Sequence, residues 1–397
     1  MTAAAENRGS RSPTTLALRD PEQRTTPVEL LWDLVFAFAI TQVTTLLAAS
    51  MSWANFGRAM LVLALVWWAW SAFVWAANAQ SASSPTLRRV LLTATGFIFV
   101  AGLALPHAFG SEGLLFVGCY CIVRLLHLAL YADASRQGGA STSAIVGFAL
   151  TVAAGIVLLL VGALTHGTLR ALLWTAAVAI DYAGPAWLTR ERLRGLQRVA
   201  VAHFAERYSL FVIICLGESI VAAGAGAFAG PAGRARALAP ALVVAVACLL
   251  AITIGMWWAY FERSAQEAEA RLATHPDPVL AAADGYSYLH LPIVAGIIIF
   301  AVGAKLLVRG SASAALAGPA RLALCGGIAL YLLAHAAFAL RLGEAMIRDR
   351  ALAAVALLAL YALGGALAAW ALCLIAAAIV AVVCAWESRR GVAAAPA

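Results

Sequence analysis

Nine side chains with acid–base or ion chemistry fall in or beside long apolar runs: Glu29, Asp33, Arg124, Asp181, Glu206, Arg207, Glu218, His290 and His335. The sharpest case is Glu218, near the centre of ERYSLFVIICLGESIVAAGAGAF, residues 206–228. Ionised and facing lipid at that depth, it would cost roughly 2.5–3.5 kcal/mol. It must therefore be protonated, paired, or turned toward water. Arg124, in CIVRLLHLALYAD, lies at comparable depth in another apolar run and is the expected partner. Such a pair could act as fixed interhelical glue, or it could release when a proton or solute arrives. The sequence leaves both open.

The other polar residues sort by position. Glu29 follows Thr26 by three residues with Pro27 between, a capping-box pattern that explains it structurally. Asp33 is one turn deeper, and Asp33, Ala37, Thr41 and Thr44 make a small or polar stripe that should face protein or water. Glu206 and Arg207 read as an entrance pair at a helix end, held by an interfacial ion pair or snorkelling. Asp181 precedes Gly184 and Pro185, His290 opens a helix in YSYLHLPIVAG, and His335 sits in another run. If Asp33, Asp181, His290 and His335 share one membrane side, they would line a polar vestibule with Arg124 and Glu218 at its floor. The WWAW cluster (residues 67–70) and WWAY cluster (257–260) read as packing and interfacial anchoring. Lys305 reads as a snorkelling lysine.

These residues need membrane helices to position them. Of 397 residues, 63% are hydrophobic and only 12% charged, which excludes an ordinary soluble domain. Apolar runs of spanning length recur near 28–49, 57–79, 88–107, 112–132, 142–164 and 167–188, then near 206–228, 238–261, 286–307, 316–340, 350–365 and 368–386. The fold class is all-α, a polytopic helical bundle of about twelve membrane helices. The net charge of +8 is read as loop arginines, not a nucleic-acid surface, because alternate loops carry most of them. That bias puts both termini in the cytoplasm. Residues 1–25 and 389–397 read as cytoplasmic tails, the first disordered, and residues 26–388 as the membrane domain. No cleaved signal peptide is apparent. The seven cysteines lie in apolar runs without metal spacing, so neither a metal nor a cofactor is expected.

Matched features recur six helices apart: WWAW with WWAY, VAG at 100–102 with VAG at 294–296, His127 with His335, and Glu29 with Glu206. Two parallel halves, 26–188 and 206–388, follow from that order.

Three segments resemble the bacterial low-temperature-requirement protein A (LtrA) family: VELLWDLVFAFAITQ (28–42), ERYSLFVIICLGESI (206–220) and YSYLHLPIVAGI (286–297). AIDYAGP (179–185), WWAYFE (257–262) and Arg124 add to the likeness. The resemblance implies a multi-pass bacterial inner-membrane protein of undefined activity, and matches Glu29, Asp33, Arg124, Asp181, Glu206, Arg207, Glu218 and His290 to the family's charged pattern. It carries no catalytic assignment. With no nucleophile motif, phosphate loop or metal motif, an enzyme has no positive support. The reading is a secondary transporter or channel-like permease for a small solute or ion, proton-coupled through Glu218 or Asp33. The alternatives are a non-transporting protein that supports the envelope under cold or stress, and an integral enzyme acting on a lipid. The expected partners are the lipid bilayer and a small solute or ion.

Overall fold

A computed structural model describes residues 25–78, 84–138, 142–185, 199–228, 238–262, 264–343 and 348–394. The expected N-terminal tail up to residue 24 and most of the basic loop joining the halves lie outside the described residues. The first six long helices are α1 (Pro27–Ala49), α2 (Trp53–Asn78), α3 (Pro85–Ala104), α4 (Gly113–Gly138), α5 (Thr142–Ala163) and α6 (Gly167–Ala183). Then come α7 (Val201–Phe228), α8 (Pro240–Phe261) and two short helices, α9 (Ser264–Ala273) and α10 (Pro278–Ala282). The chain finishes with α11 (His290–Arg309), α12 (Gly318–Arg341), α13 (Arg348–Leu363) and α14 (Ala369–Ala394).

Among the described residues eleven segments have the length and apolarity of a membrane span, and α6, at 17 residues, falls just short. The described residues contain no strand, only an isolated bridge between Ala315 and Ala368. The chain is a multi-pass helical membrane protein.

Local signals set several helix starts. Thr26 donates both its backbone N–H and its hydroxyl to Glu29 Oε2, each at 2.8 Å, as the capping pattern predicts. The Ser84 hydroxyl accepts from Leu87 N–H ahead of Pro85, and Pro240 and Pro319 open α8 and α12. Several boundaries differ from the sequence reading, the start of α7 at Val201 in place of 206 among them. The ninth long helix begins at His290, four residues later than expected, because Ala283–Tyr288 takes a π-helical turn with Leu289 N–H donating to Asp284 O. The last helix also continues beyond residue 388 to Ala394.

Packing follows one scheme twice. In the first set α1 packs on α2 and α3, α3 on α4, α4 on α5, α5 on α6, and α6 returns to α2. In the second α7 packs on α8 and α11, α11 on α12, α12 on α13, α13 on α14, and α14 returns to α8. The tightest seam is α11 on α12, where Gly296, Gly303 and Gly327 let the backbones touch. A Cβ on Gly303 would come within 2.5 Å of Leu324 N, and one on Gly296 within 2.6 Å of Tyr331 N. The two sets meet where α1 packs on α7 and α11, and α2 on α7.

Candidate functional site

The α1–α7 seam carries two polar centres. At the first, Arg207 Nη2 and Nε donate to Asp33 Oδ1 and Oδ2 at 2.6 and 3.2 Å, a bidentate clamp. Arg207 Nη1 lies 2.8 Å from Glu29 Oε1, and His203 Nε2 lies 3.3 Å from the same carboxylate. Trp70 Nε1, from the WWAW cluster, donates to Asp33 Oδ1 at 2.8 Å. All five side chains are buried. Arg207 is thus no snorkelling residue, and its partners are on α1, not at Glu206. The reason is that α7 starts at Val201, which sets Arg207 nearly two turns inside the helix. Glu206 is exposed and accepts from Thr25 N–H at 3.2 Å.

A buried hydroxyl cluster adjoins this centre. Ser287, on the π-helical turn, receives Ser71 Oγ at 3.1 Å and Trp75 Nε1 at 2.8 Å, and lies 3.0 Å from Tyr208 Oη. Its carbonyl accepts from Trp67 Nε1 at 2.7 Å. Beyond it, the Tyr286 ring stacks on His290 at 4.9 Å. His290 Nδ1 lies 3.0 Å from Gly285 O and Nε2 lies 2.7 Å from Tyr260 Oη, so the carbonyl fixes the tautomer and Nε2 accepts from the phenol. Tyr260 also stacks on His335, which is buried with neither ring nitrogen hydrogen-bonded among the described residues. In WWAW, Trp67 and Trp70 therefore face inward as hydrogen-bond donors. In WWAY only Tyr260 does so, while Trp257 and Trp258 are 40% and 37% exposed on the bundle's flank.

The second centre is Glu218, eleven residues past Arg207, or about 16 Å further along the helix. Thr41 Oγ1 donates to its Oε2 at 2.6 Å and Thr44 Oγ1 to its Oε1 at 2.8 Å. Each hydroxyl can turn instead to a carbonyl of its own helix, Ala37 O at 3.2 Å or Thr41 O at 2.7 Å. Glu218 is only partly buried. Lys305 reaches Thr45 Oγ1 at 3.5 Å, within electrostatic range of Glu218. Because Asp33 meets Arg207 and Thr41 meets Glu218, α1 and α7 run parallel, as two matched halves require.

Arg124 does not pair with Glu218. Its Nη2 donates to Asp181 Oδ1 at 3.1 Å, and both residues are buried. The physical reason is the helix order: α2 packs against both α4 and α7 and stands between them. Arg124 Nε and Nη1, Tyr120 Oη and both His127 nitrogens, on one face of α4, are buried without a hydrogen bond among the described residues. Asp33, Asp181, His290 and His335 are likewise buried in place of lining an open vestibule. Two further arginines read as loop charges are buried. Arg350 clamps Glu387 at 2.8 and 3.1 Å, and Arg170 donates to Ala108 O and Gly110 O at 2.9 Å. Among the described residues no group of His, Cys, Asp and Glu could hold a metal.

No solved structure is similar to this chain at a significant level. A relative, an uncharacterized protein of Rhizobium meliloti (strain 1021), is 32% identical over 283 residues, 69% of this chain and 67% of that one. Residues 24–385 match the family described as bacterial low temperature requirement A protein (LtrA). With that match covering nearly the whole chain, the protein belongs to the LtrA family.

Proposed function

We propose that the protein is a secondary transporter or channel-like permease for a small solute or ion, coupled to proton exchange at Glu218. The observation that carries this reading is the hydroxyl pair around Glu218. An ionised Glu218 accepts from Thr41 and Thr44. A protonated one donates to either hydroxyl, which then turns to the carbonyl of Ala37 or Thr41. Both protonation states keep their hydrogen bonds, and partial exposure gives the proton a way in. Asp33, the other expected carrier, lacks this freedom. Its partners, Arg207 and Trp70, are donors only, so a proton on Asp33 would face them without an acceptor.

The repeated packing scheme and the parallel run of α1 and α7 favour a duplicated architecture, residues 26–188 and 206–388, with the site at the seam between halves. On this reading the protein sits in the bacterial inner membrane with both termini in the cytoplasm, as its loop arginines favour. The exchange site then lies past mid-depth from the cytoplasmic side. A second reading has one specific observation behind it. Three buried, ion-paired arginines, Arg124, Arg207 and Arg350, are what a non-transporting scaffold of interhelical ion pairs would contain.

Solute and proton flux in proteoliposomes separates the two, using the wild type and Glu218→Gln. The proposal expects flux that Glu218→Gln abolishes while its unfolding temperature stays near that of the wild type. Absence of flux across a broad panel of ions and small solutes, from protein that is folded and correctly inserted, would leave the scaffold reading.

A further inference from the structure

An apolar cavity of about 600 Å³ opens on the side of the bundle away from the start of α1. Leu47 of α1, Met51 and Ser52 of the turn that follows it, and Trp53 and Phe56 at the head of α2 form one wall. Gly318, Leu322, Gly326 and Leu330 of α12 form the other, with Ile299 and Tyr361 closing the back. The α12 wall has a four-residue repeat, so it is one continuous strip of that helix. From Gly318 to Leu330 it descends about 18 Å, against about 15 Å for half of a bilayer's hydrocarbon. The groove therefore runs from the membrane surface to about the bilayer midplane, through one leaflet along the path of a single acyl chain.

A cation stands at its edge. Arg321 lies in the first turn of α12, with its guanidinium over the ring of groove-lining Tyr361 at 5.5 Å. Nε donates to Tyr361 O at 2.8 Å and Nη1 to Leu316 O at 3.1 Å, which fixes the side chain. Nη2 has no hydrogen-bond partner among the described residues. A rigid guanidinium presenting an unused donor at the level of the headgroups suits a phosphate. Lys305 and Arg309, at the end of α11, add positive charge on the same side of the bundle.

We infer that this groove is a binding site for one anionic phospholipid, with an acyl chain between α1–α2 and α12 and the phosphate on Arg321. The glycine at mid-depth gives a clean test. A Cβ on Gly326 meets only the Leu322 side chain, at 3.3 Å, and Gly326 lines the groove, so Gly326→Phe places a ring where the acyl chain would lie. Arg321→Gln removes the charge while leaving the groove open.

Native mass spectrometry of protein exchanged into mixed micelles of phosphatidylglycerol and phosphatidylcholine reads the outcome. The wild type should retain one phospholipid, favouring phosphatidylglycerol about tenfold, because both headgroups offer a phosphate to Arg321 but phosphatidylcholine also sets a choline cation against it. Gly326→Phe should lose that lipid, and Arg321→Gln should keep a lipid but lose the headgroup preference. Equal retention of the two headgroups by the wild type would overturn the inference. So would lipid retention by a folded Gly326→Phe at the wild-type level. A dimer in the wild type that Gly326→Phe dissociates would assign the groove to a second copy of the chain and overturn it as well. Circular dichroism of both variants checks that lost binding is not lost fold.

Discussion

The two polar centres on the α1–α7 seam use the same helices and differ in what surrounds the carboxyl group. Asp33 is 0% exposed and takes three hydrogen bonds from two obligate donors, the Arg207 guanidinium and the Trp70 indole. Glu218 is partly exposed and is held by two hydroxyls, each able to donate or accept. The first arrangement satisfies one charge state and locks two helices together. The second tolerates a change of charge with little rearrangement. A carboxyl group inside a membrane protein is therefore read from the donor and acceptor capacity of its neighbours, beyond its depth alone.

That contrast can be broken at its stable end first. Asp33→Asn should leave Arg207 partly unpaired in a buried site and cost about 3–5 kcal/mol, seen as a large drop in the unfolding temperature in detergent. A variant melting like the wild type would mean the clamp is not what joins α1 to α7. Ser287→Ala comes next. It leaves the Trp75 indole unsatisfied and takes a partner from Tyr208, so about 1–3 kcal/mol should be lost in the same assay.

The open end should respond in function more than in stability. Thr41→Val or Thr44→Val removes one hydroxyl from Glu218 and should cost about 1 kcal/mol. Either change should shift the pH dependence of any flux, because only one hydroxyl remains to take up the change of charge. An unchanged profile would remove the hydroxyls from the mechanism. Glu218→Gln should have the smallest effect on stability, below about 1 kcal/mol, since the amide can still hydrogen-bond both threonines. A collapse in stability equal to that of Asp33→Asn would make the two centres alike.

Much of this was legible in the sequence, for a physical reason. A charged residue in an apolar run of spanning length has few cheap solutions, so Asp33, Arg124, Asp181 and Glu218 stand out before any fold is known. The helices were equally legible, because spanning runs are long and their ends carry proline, threonine and serine. Partners were not. Which helices touch depends on packing order, and α2 standing between α4 and α7 decides that Arg124 meets Asp181 and not Glu218. Arg207 reads as interfacial because a charge near a run's edge looks so until the true start of its helix is known. The Ser287 cluster was invisible for another reason. Serine and tyrosine are unremarkable in sequence, and Ser287 lies 216 residues from Ser71 and 79 from Tyr208.

Carbodiimide labelling of the wild-type protein in native membranes, mapped by mass spectrometry, tests the contrast most directly because it needs no substitution. The reagent enters the membrane and modifies carboxyl groups that it can reach and that carry a proton. The account predicts an adduct on Glu218, with Asp33 and Glu29 unmodified at the same exposure. Modification of Asp33 as fast as Glu218, or a Glu218 that stays unmodified in folded protein, would contradict it.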